Sequence, residues 1–347
     1  MKTLLLPADE EGIRLGGRLI AEGSLVGFPT ETVYGLGGDA LNGEAVRDIF
    51  RAKGRPADNP LIVHVADEGG LEGLCLPNDT ALALMRLFWP GPLTLLMKKT
   101  SAVPDVTTAG LDTVAVRCPA HPAARALIRA SGVPIAAPSG NLSGRPSPTA
   151  AEHMLEDMDG RIPLILDGGP CSVGVESTVL SVTEEIPVIF RPGGITREQI
   201  AAAIGDCRVA DSVMRPLKEG EAAPSPGMRH RHYAPRGHMT VVEGDDEQAV
   251  LRKLAALYDL GGGKACILCH RDHLNAFGSR RVMDLGDSAE ESARVLFALL
   301  REMDEERVDR ILCEGWREEG VGLAVMNRMA RAAAFDIVRA EGTERPS

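Results

Sequence analysis

Phe28-Pro-Thr-Glu-Thr-Val-Tyr-Gly-Leu-Gly37 is the stretch on which the reading of this chain turns, because an apolar run from Ser24 to Phe28 breaks there into hydroxyls, a carboxylate and closely spaced glycines. Proline cannot donate to a sheet ladder, so the strand ends at Pro29. Gly35 and Gly37 permit close backbone approach, and Thr30, Glu31, Thr32 and Tyr34 then present polar groups at the mouth of a pocket. A plain strand-to-loop junction has the same composition. What accompanies the stretch decides between the two.

Helix and strand patterns alternate outward from it. Helices are expected at 9–21, 44–52, 80–88, 122–130, 150–158 and 196–204, and strands at 24–28, 61–65, 93–97, 113–117, 134–138, 164–166, 177–182 and 188–191. Some of the connections are too short for crossover helices, which points to a mixed sheet flanked by helices. Residues 207–237 hold Pro216, Pro224, Pro226 and Pro235 with several glycines and few apolar residues, the composition of an interdomain linker. Beyond it, strands at 239–242, 265–269, 281–284 and 310–313 and helices at 247–258, 289–303 and 324–335 describe a small open α/β domain. The expected division is therefore 1–206, 207–237 and 238–347.

At 347 residues, 44% hydrophobic and 25% charged, the chain has an ordinary globular profile and room for two domains. Aromatics are only 3%, so the cores must be built from Leu, Ile, Val, Met and Ala. A net charge of -11 argues against a broad nucleic-acid-binding surface. The apolar run before Pro7 is too short for a signal peptide and no apolar segment reaches membrane-spanning length, so a cytoplasmic protein with no membrane partner is expected. Seven scattered cysteines read as reduced core thiols. Cys266 and Cys269 with His270 and His273 invite a zinc reading. On a strand at 265–269, however, their odd separation sends the two thiols to opposite faces, and no metal site is expected.

The remaining polar constellations sit at strand ends of the first half. Lys53-Gly-Arg55-Pro follows a helix and precedes Asn59-Pro60 and the strand carrying His64; a lysine and an arginine two apart across a glycine converge on one polyanion. Arg117 ends the apolar strand Thr113-Val-Ala-Val-Arg, a fixed cation that needs either an anionic ligand or a structural ion pair. Ala137-Pro-Ser139-Gly-Asn141-Leu-Ser143-Gly144 supplies backbone N–H groups and hydroxyls after a strand, in the manner of phosphate loops, without either usual nucleotide-loop spacing. A second glycine-rich loop runs from Asp167 to Gly174 into Glu176-Ser177-Thr178, and Arg191-Pro-Gly-Gly places another cation at a strand end. Together these suggest a polyphosphate and a second, smaller anion.

In combination, Phe28-Pro-Thr-Glu-Thr-Val-Tyr-Gly-Leu, Lys53-x-Arg55, Ser139-x-Asn141, Glu176-Ser-Thr and Arg191-Pro-Gly resemble the YrdC-like domain of threonylcarbamoyl-AMP synthases, over about residues 8 to 205. Ser225-Pro-Gly-Met-Arg-His-Arg-His-Tyr-Ala-Pro235 is similar to the linker of the longer, two-domain members, and Gly320-Val-Gly-Leu-Ala-Val-Met-Asn-Arg328 to the last helix of their second domain. The resemblance implies a YrdC-like domain with a twisted mixed β-sheet and a smaller Rossmann-like C-terminal domain. It also implies a reaction: L-threonine, bicarbonate or carbon dioxide, and ATP give threonylcarbamoyl-AMP and pyrophosphate. The product passes to a separate transferase complex that modifies certain tRNAs, with a weak tRNA contact as a further expectation.

By the same resemblance, Lys53, Arg55, Ser139 and Asn141 form the catalytic tetrad. Threonine falls to Thr32, His64, Arg117, Ser177 and the main chain of Ala137, where relatives carry a serine. ATP falls to Arg55, Asn59, Thr113, Ser139, Ser147 and Arg191, with Tyr233 in the linker closing over it as a lid. His64, flanked by Val63 and Val65, has a satisfied core histidine as its alternative reading. Mg²⁺ is expected with ATP and no tightly bound organic cofactor; Glu31 and Glu176 are the only carboxylates suggested for a metal. Two other classes fit parts of the pattern: a YrdC-type carbamoyltransferase, whose extra domains are not visible here, and a non-catalytic RNA-binding module, which the acidity disfavours.

Overall fold

A computed structural model describes residues 2–215 and 233–341. They form two compact units, each described by itself: the first comprises 2–143 and 147–215, the second 144–146 with 233–341.

Strands of the first unit are β1 (Leu4–Pro7), β2 (Val26–Phe28), β3 (Gly35–Asp39), β4 (Ile62–His64), β5 (Cys75–Leu76), β6 (Leu93–Lys99), β7 (Thr113–Arg117), β8 (Ile135–Ala136), β9 (Leu164–Asp167), β10 (Thr178–Ser181), β11 (Val188–Arg191) and β12 (Arg208–Val209). They join in the order β1-β9-β2-β3-β8-β4-β7-β6-β10-β11-β12, with β5 on β6, and the pairings mix parallel and antiparallel as the short connections require. Helices stop and start where the side chains dictate. Asp9 caps the helix Glu10–Ala21 through Gly12 N, Asn42 caps Gly43–Lys53, and a capping box of Thr196 and Gln199 opens Arg197–Ile204. Gly54, at φ 61°, ends Gly43–Lys53 in the left-handed conformation and turns the chain toward Arg55.

The structure differs from expectation at the opening stretch. Residues 35–39, read as loop, are strand β3, which pairs with β2 and β8. Glycine is depleted in strands, so propensity conceals it. Side chains added at Gly37 would lie 2.8 Å from both Phe28 Cε1 and Ile135 Cγ2. The glycines therefore admit the Phe28 ring, rather than serving only a ligand's approach. At the other boundary, β12 pairs with β11, so the first sheet continues to Val209 inside the stretch read as linker; residues 216–232 of that stretch lie outside the described residues.

In the second unit, β13 (His238–Glu243), β14 (Ala265–Cys269), β15 (Val282–Asp284), β16 (Arg310–Glu314) and β17 (Ile337–Arg339) make an all-parallel sheet in the order β15-β14-β16-β13-β17. Its crossovers include the helices Glu247–Leu260, Ala289–Glu305 and Gly320–Ala332. The loop 144–146 belongs to this unit through Ala234 N to Gly144 O at 2.8 Å and Arg301 Nη2 to Pro146 O at 2.7 Å. No described helix is long and apolar enough to cross a membrane.

Candidate active site

Strand alternation divides the first sheet into two chemistries. Val63, Leu95, Val114, Val116 and Leu180 join the large apolar cluster with the helices. Their alternates Ile62, His64, Thr94, Leu96, Thr113, Ala115 and Arg117 therefore project from the opposite face, where Ile62, Leu96, Ala115 and Val179, with Phe190, make a separate apolar floor.

Register sets His64 directly opposite Arg117 on this face. The Arg117 guanidinium is 4% exposed and meets Glu31 Oε1 at 2.6 Å, donates to Thr32 Oγ1 at 2.9 Å and, through Nε, to Gly91 O at 3.2 Å. The structural ion pair that the sequence allows for Arg117 is formed, with Glu31. Burial pushes the Glu31 carboxyl upward, but the adjacent Arg117 charge and the hydrogen bonds from Arg117 and the backbone together outweigh it and the net shift is downward. His64 lies edge-on to Phe28 at 6.1 Å. Burial, and secondarily the Arg117 charge, drive its pKa down to about 3, so it is neutral. Its Nδ1 is buried with no hydrogen-bond partner among the described residues, which is what a core histidine avoids and a ligand-binding one shows before its ligand arrives.

The depressed His64 value has a stability consequence. Between about 6.5 in the unfolded chain and about 3 in the folded one, the unfolded state binds the extra proton, so stability is full above the former and falls as pH drops toward the latter. His64→Gln is expected to remove up to one proton from that slope, about 1.4 kcal/mol per pH unit. Urea midpoints measured at pH 4 to 7 check it; an unchanged slope means the histidine is solvated.

Along the same face, Ser177 Oγ lies 2.7 Å from Thr94 Oγ1, and Arg191 grips Ser177 twice, Nη2 to Oγ at 3.1 Å and Nε to the carbonyl at 3.0 Å. Thr94, a lone hydroxyl in an apolar strand, is a site residue the sequence reading missed. Gly193 follows Arg191 so closely against this turn that a methyl there would overlap Thr178 N and Glu176 O. Gly193→Ala is expected to destabilise by about 1–3 kcal/mol, read as a shift in denaturant midpoint. Beside Ser177, Ser147 Oγ donates to Glu176 Oε1 at 2.5 Å.

Lys53, the last residue of its helix, is 3% exposed and donates to the carbonyls of Ser139 at 2.5 Å and Asn141 at 2.6 Å, while Ser143 N returns a bond to Lys53 O. Arg55 Nη2 reaches Asn59 O at 3.4 Å, and its guanidinium stands 5.7 Å from the Phe50 ring centre. The two groups are tied together: Gly35 bridges Ser139, Gly140 N donates to Tyr34 O at 2.8 Å, and the same loop carries Thr32 on to Arg117. Val173 N to Glu31 O and Tyr34 N to Pro148 O add the remaining loops. Lys53, Thr32, Arg117, Ser139, Ser177 and Arg191 thus belong to one bonded network.

Three of the expected residues contribute differently. Thr113 shares the face of Arg117 but opens β7, paired with Lys98. Ala137 spends its N–H on Ile62 O. Tyr233 lies in the second unit at φ 63°, buried against Phe297 at 5.1 Å and Arg328 at 5.8 Å. The linker it was expected to lead lies largely outside the described residues. Glu31 and Glu176 are committed to Arg117 and Ser147. Lys53, Arg55, Arg117 and Arg191 are all buried, and buried cations favour anionic ligands.

Residues 18–193 match the Sua5/YciO/YrdC family model, described as telomere recombination. The chain belongs to the Sua5/YciO/YrdC family. More particularly it is of the two-domain kind, since residues 195–334 match the family described as threonylcarbamoyl-AMP synthase, C-terminal domain. It is similar to the threonylcarbamoyl-AMP synthase of Pyrococcus abyssi, 49% identical over 95% of this chain and 96% of that one. The synthase of Bacillus subtilis is 48% identical over 96% of each. The crystal structure of P. abyssi Sua5 complexed with L-threonine covers 98% of this chain and 100% of its own, at 47% identity and a TM-score of 0.92.

Proposed function

We propose that this protein is a threonylcarbamoyl-AMP synthase, a nucleotidyltransferase that makes L-threonylcarbamoyl-AMP and pyrophosphate from L-threonine, bicarbonate or carbon dioxide, and ATP. The observation that carries the reading is the hydrogen-bonded loop network that ties Thr32, Arg117, Ser177 and Arg191 on one sheet face to the Lys53–Ser139 contact, beside the likeness to a threonine-bound relative. The threonine amine adds to the carbon of bicarbonate, releasing water, and one carbamate oxygen then forms a bond to the α-phosphorus as the bond to the pyrophosphate oxygen breaks. Both reactants are anions, so the chemistry rests on holding them together and on stabilising the departing charge.

In this reading Arg117, Thr32 and neutral His64 receive threonine with Ser177 and the Ala137 main chain, while Lys53, Arg55, Asn59, Thr113, Ser139, Asn141, Ser147 and Arg191 receive the nucleotide and carbamate. Mg²⁺ arrives as part of the substrate MgATP. The adenylate passes to a transferase acting on tRNA, in the cytoplasm, a setting in keeping with seven free thiols.

The test mixes protein, MgATP, bicarbonate and each amino acid in turn and follows pyrophosphate. Release is expected with threonine and only with bicarbonate or carbon dioxide present. Release independent of the amino acid, or none, overturns the reading.

A further inference from the structure

In the second unit the chain leaves β14 toward β15 on one side and leaves the adjacent β16, through Gly320–Ala332, toward β17 on the other. Diverging connections open a crevice outside the carboxyl ends of such a sheet, where open α/β folds bind ligands. A cavity of about 860 Å³ lies there.

His270 directly follows β14, His273 sits in the short helical turn Arg271–Phe277, and Glu314 is the last residue of β16. One ligand atom from each comes within 4.8 Å of the others, and no other such group of three occurs among the described residues. Glu314 Oε1 is 3.3 Å from His270 Nδ1 and 2.8 Å from His273 Nδ1, and its Oε2 accepts the His270 N–H at 2.9 Å. Behind the cluster, Glu247 Oε1 meets His273 Nε2 at 3.2 Å, and the His270 ring lies against Trp316 at 4.0 Å.

We propose that His270, His273 and Glu314 bind a divalent transition cation of the zinc class, with Glu247 orienting His273 from behind. The donor set is two imidazoles and a carboxylate, which suits such ions. Bonds of about 2.0–2.1 Å in a tetrahedron place neighbouring donors about 3.3 Å apart. The His270 edge already has that length, and the His273 edge needs to open by about 0.5 Å. With its Nε2–H donating a hydrogen bond to Glu247, as in ligating histidines backed by a second carboxylate, His273 turns its Nδ1 lone pair toward Glu314 and a cation belongs between them.

Charge argues the same way. Glu314 is 5% exposed and has no lysine or arginine partner among the described residues, so a bound cation supplies its carboxylate with a permanent counter-charge that no such side chain provides. Among the described residues that line the cavity, Glu243, Asp245, Glu318 and Glu319 outnumber Arg317 and Arg339, the latter paired with Asp245 at 2.8 Å, a field that draws cations in. Three protein donors leave a coordination position open toward the cavity for water or a small ligand. The thiols that share the sequence neighbourhood take no part: Cys269 packs in the core with Ile267 and Leu312, and the third donor comes from Glu314, at the end of another strand.

The full chain, stripped with a chelator, is titrated with Zn²⁺ by calorimetry and with Co²⁺ by its visible absorption. One equivalent per chain is expected, with the Co²⁺ bands of a histidine-ligated, low-coordinate site. His273→Ala and Glu314→Gln are each expected to weaken binding at least 100-fold, and Glu247→Gln about tenfold. The double variant His230→Ala, His232→Ala, which removes the chain's other closely spaced histidines, is expected to bind as the parent does. Metal-free circular dichroism separates a lost site from a lost fold, and His270→Ala serves where Glu314→Gln unfolds. Substoichiometric binding by the parent, or loss of binding that follows His230 and His232 instead of Glu314, overturns the proposal.

Discussion

Lys53→Met lowers the rate of threonine-dependent pyrophosphate release by about 10²–10³-fold, the effect expected when one fixed donor to a developing anion is removed. The ammonium is buried, and in the structure it spans the carbonyls of Ser139 and Asn141, so it both carries charge and holds the loop that presents those residues. Methionine keeps the length of the stem and loses the charge. The loss is expected in kcat more than in the KM for threonine, because the Thr32 and Arg117 contacts are made by other elements. Lys53→Arg does not rescue: a planar fork cannot occupy the point between two carbonyls that a compact ammonium fills. Release at the parental rate by Lys53→Met, with its circular dichroism unchanged, removes Lys53 from the site.

Most of the fold was legible because its elements carry their own punctuation. Strand β7 runs from Thr113 to Arg117 as the apolar run predicts, and the helices end at Gly54 and Gly132, both with positive φ. What stayed hidden depended on contacts across the chain. The strand Gly35–Asp39 has no β-formers to announce it and exists because Phe28 and Ile135 need glycines beneath them. Arg117 announced itself as a cation needing an anion, but sequence could not choose between a ligand and Glu31, which lies 86 residues earlier and reaches it only after five strands have paired. The His270, His273 and Glu314 cluster was missed for the same reason. The histidines were visible and were weighed with the neighbouring cysteines, whereas their third partner is supplied by register across the sheet.

The Glu31–Arg117 pair makes a second large effect predictable. A carboxylate and a guanidinium 2.6 Å apart, 7% and 4% exposed, have exchanged water for one another, and deleting either strands the other. Arg117→Met is expected to cost about 3–5 kcal/mol. At about 2–4 °C per kcal/mol for a domain of this size, the thermal midpoint falls by roughly 10 °C. The double variant Arg117→Met, Glu31→Gln recovers much of this, since no charge is left buried alone. Because Glu31 titrates below its usual value, the pair's contribution is complete above about pH 4.5 and is lost as pH falls through the depressed folded value, so the deficit of Arg117→Met shrinks in acid.

Threonine separates the ligand role of Arg117 from the structural one. If the substrate carboxylate takes the place of Glu31 on the guanidinium, Glu31→Gln removes a competitor: it lowers stability without threonine, and it lowers or preserves the KM for threonine. Arg117→Met and the double variant both lose the donor to the substrate carboxylate and raise that KM at least 100-fold, about 2.7 kcal/mol. The double variant is the decisive one, because it has regained stability and lost only the ligand's partner. A parental KM in the double variant leaves Arg117 with the ion pair alone and moves the threonine carboxylate to another cation on the same face.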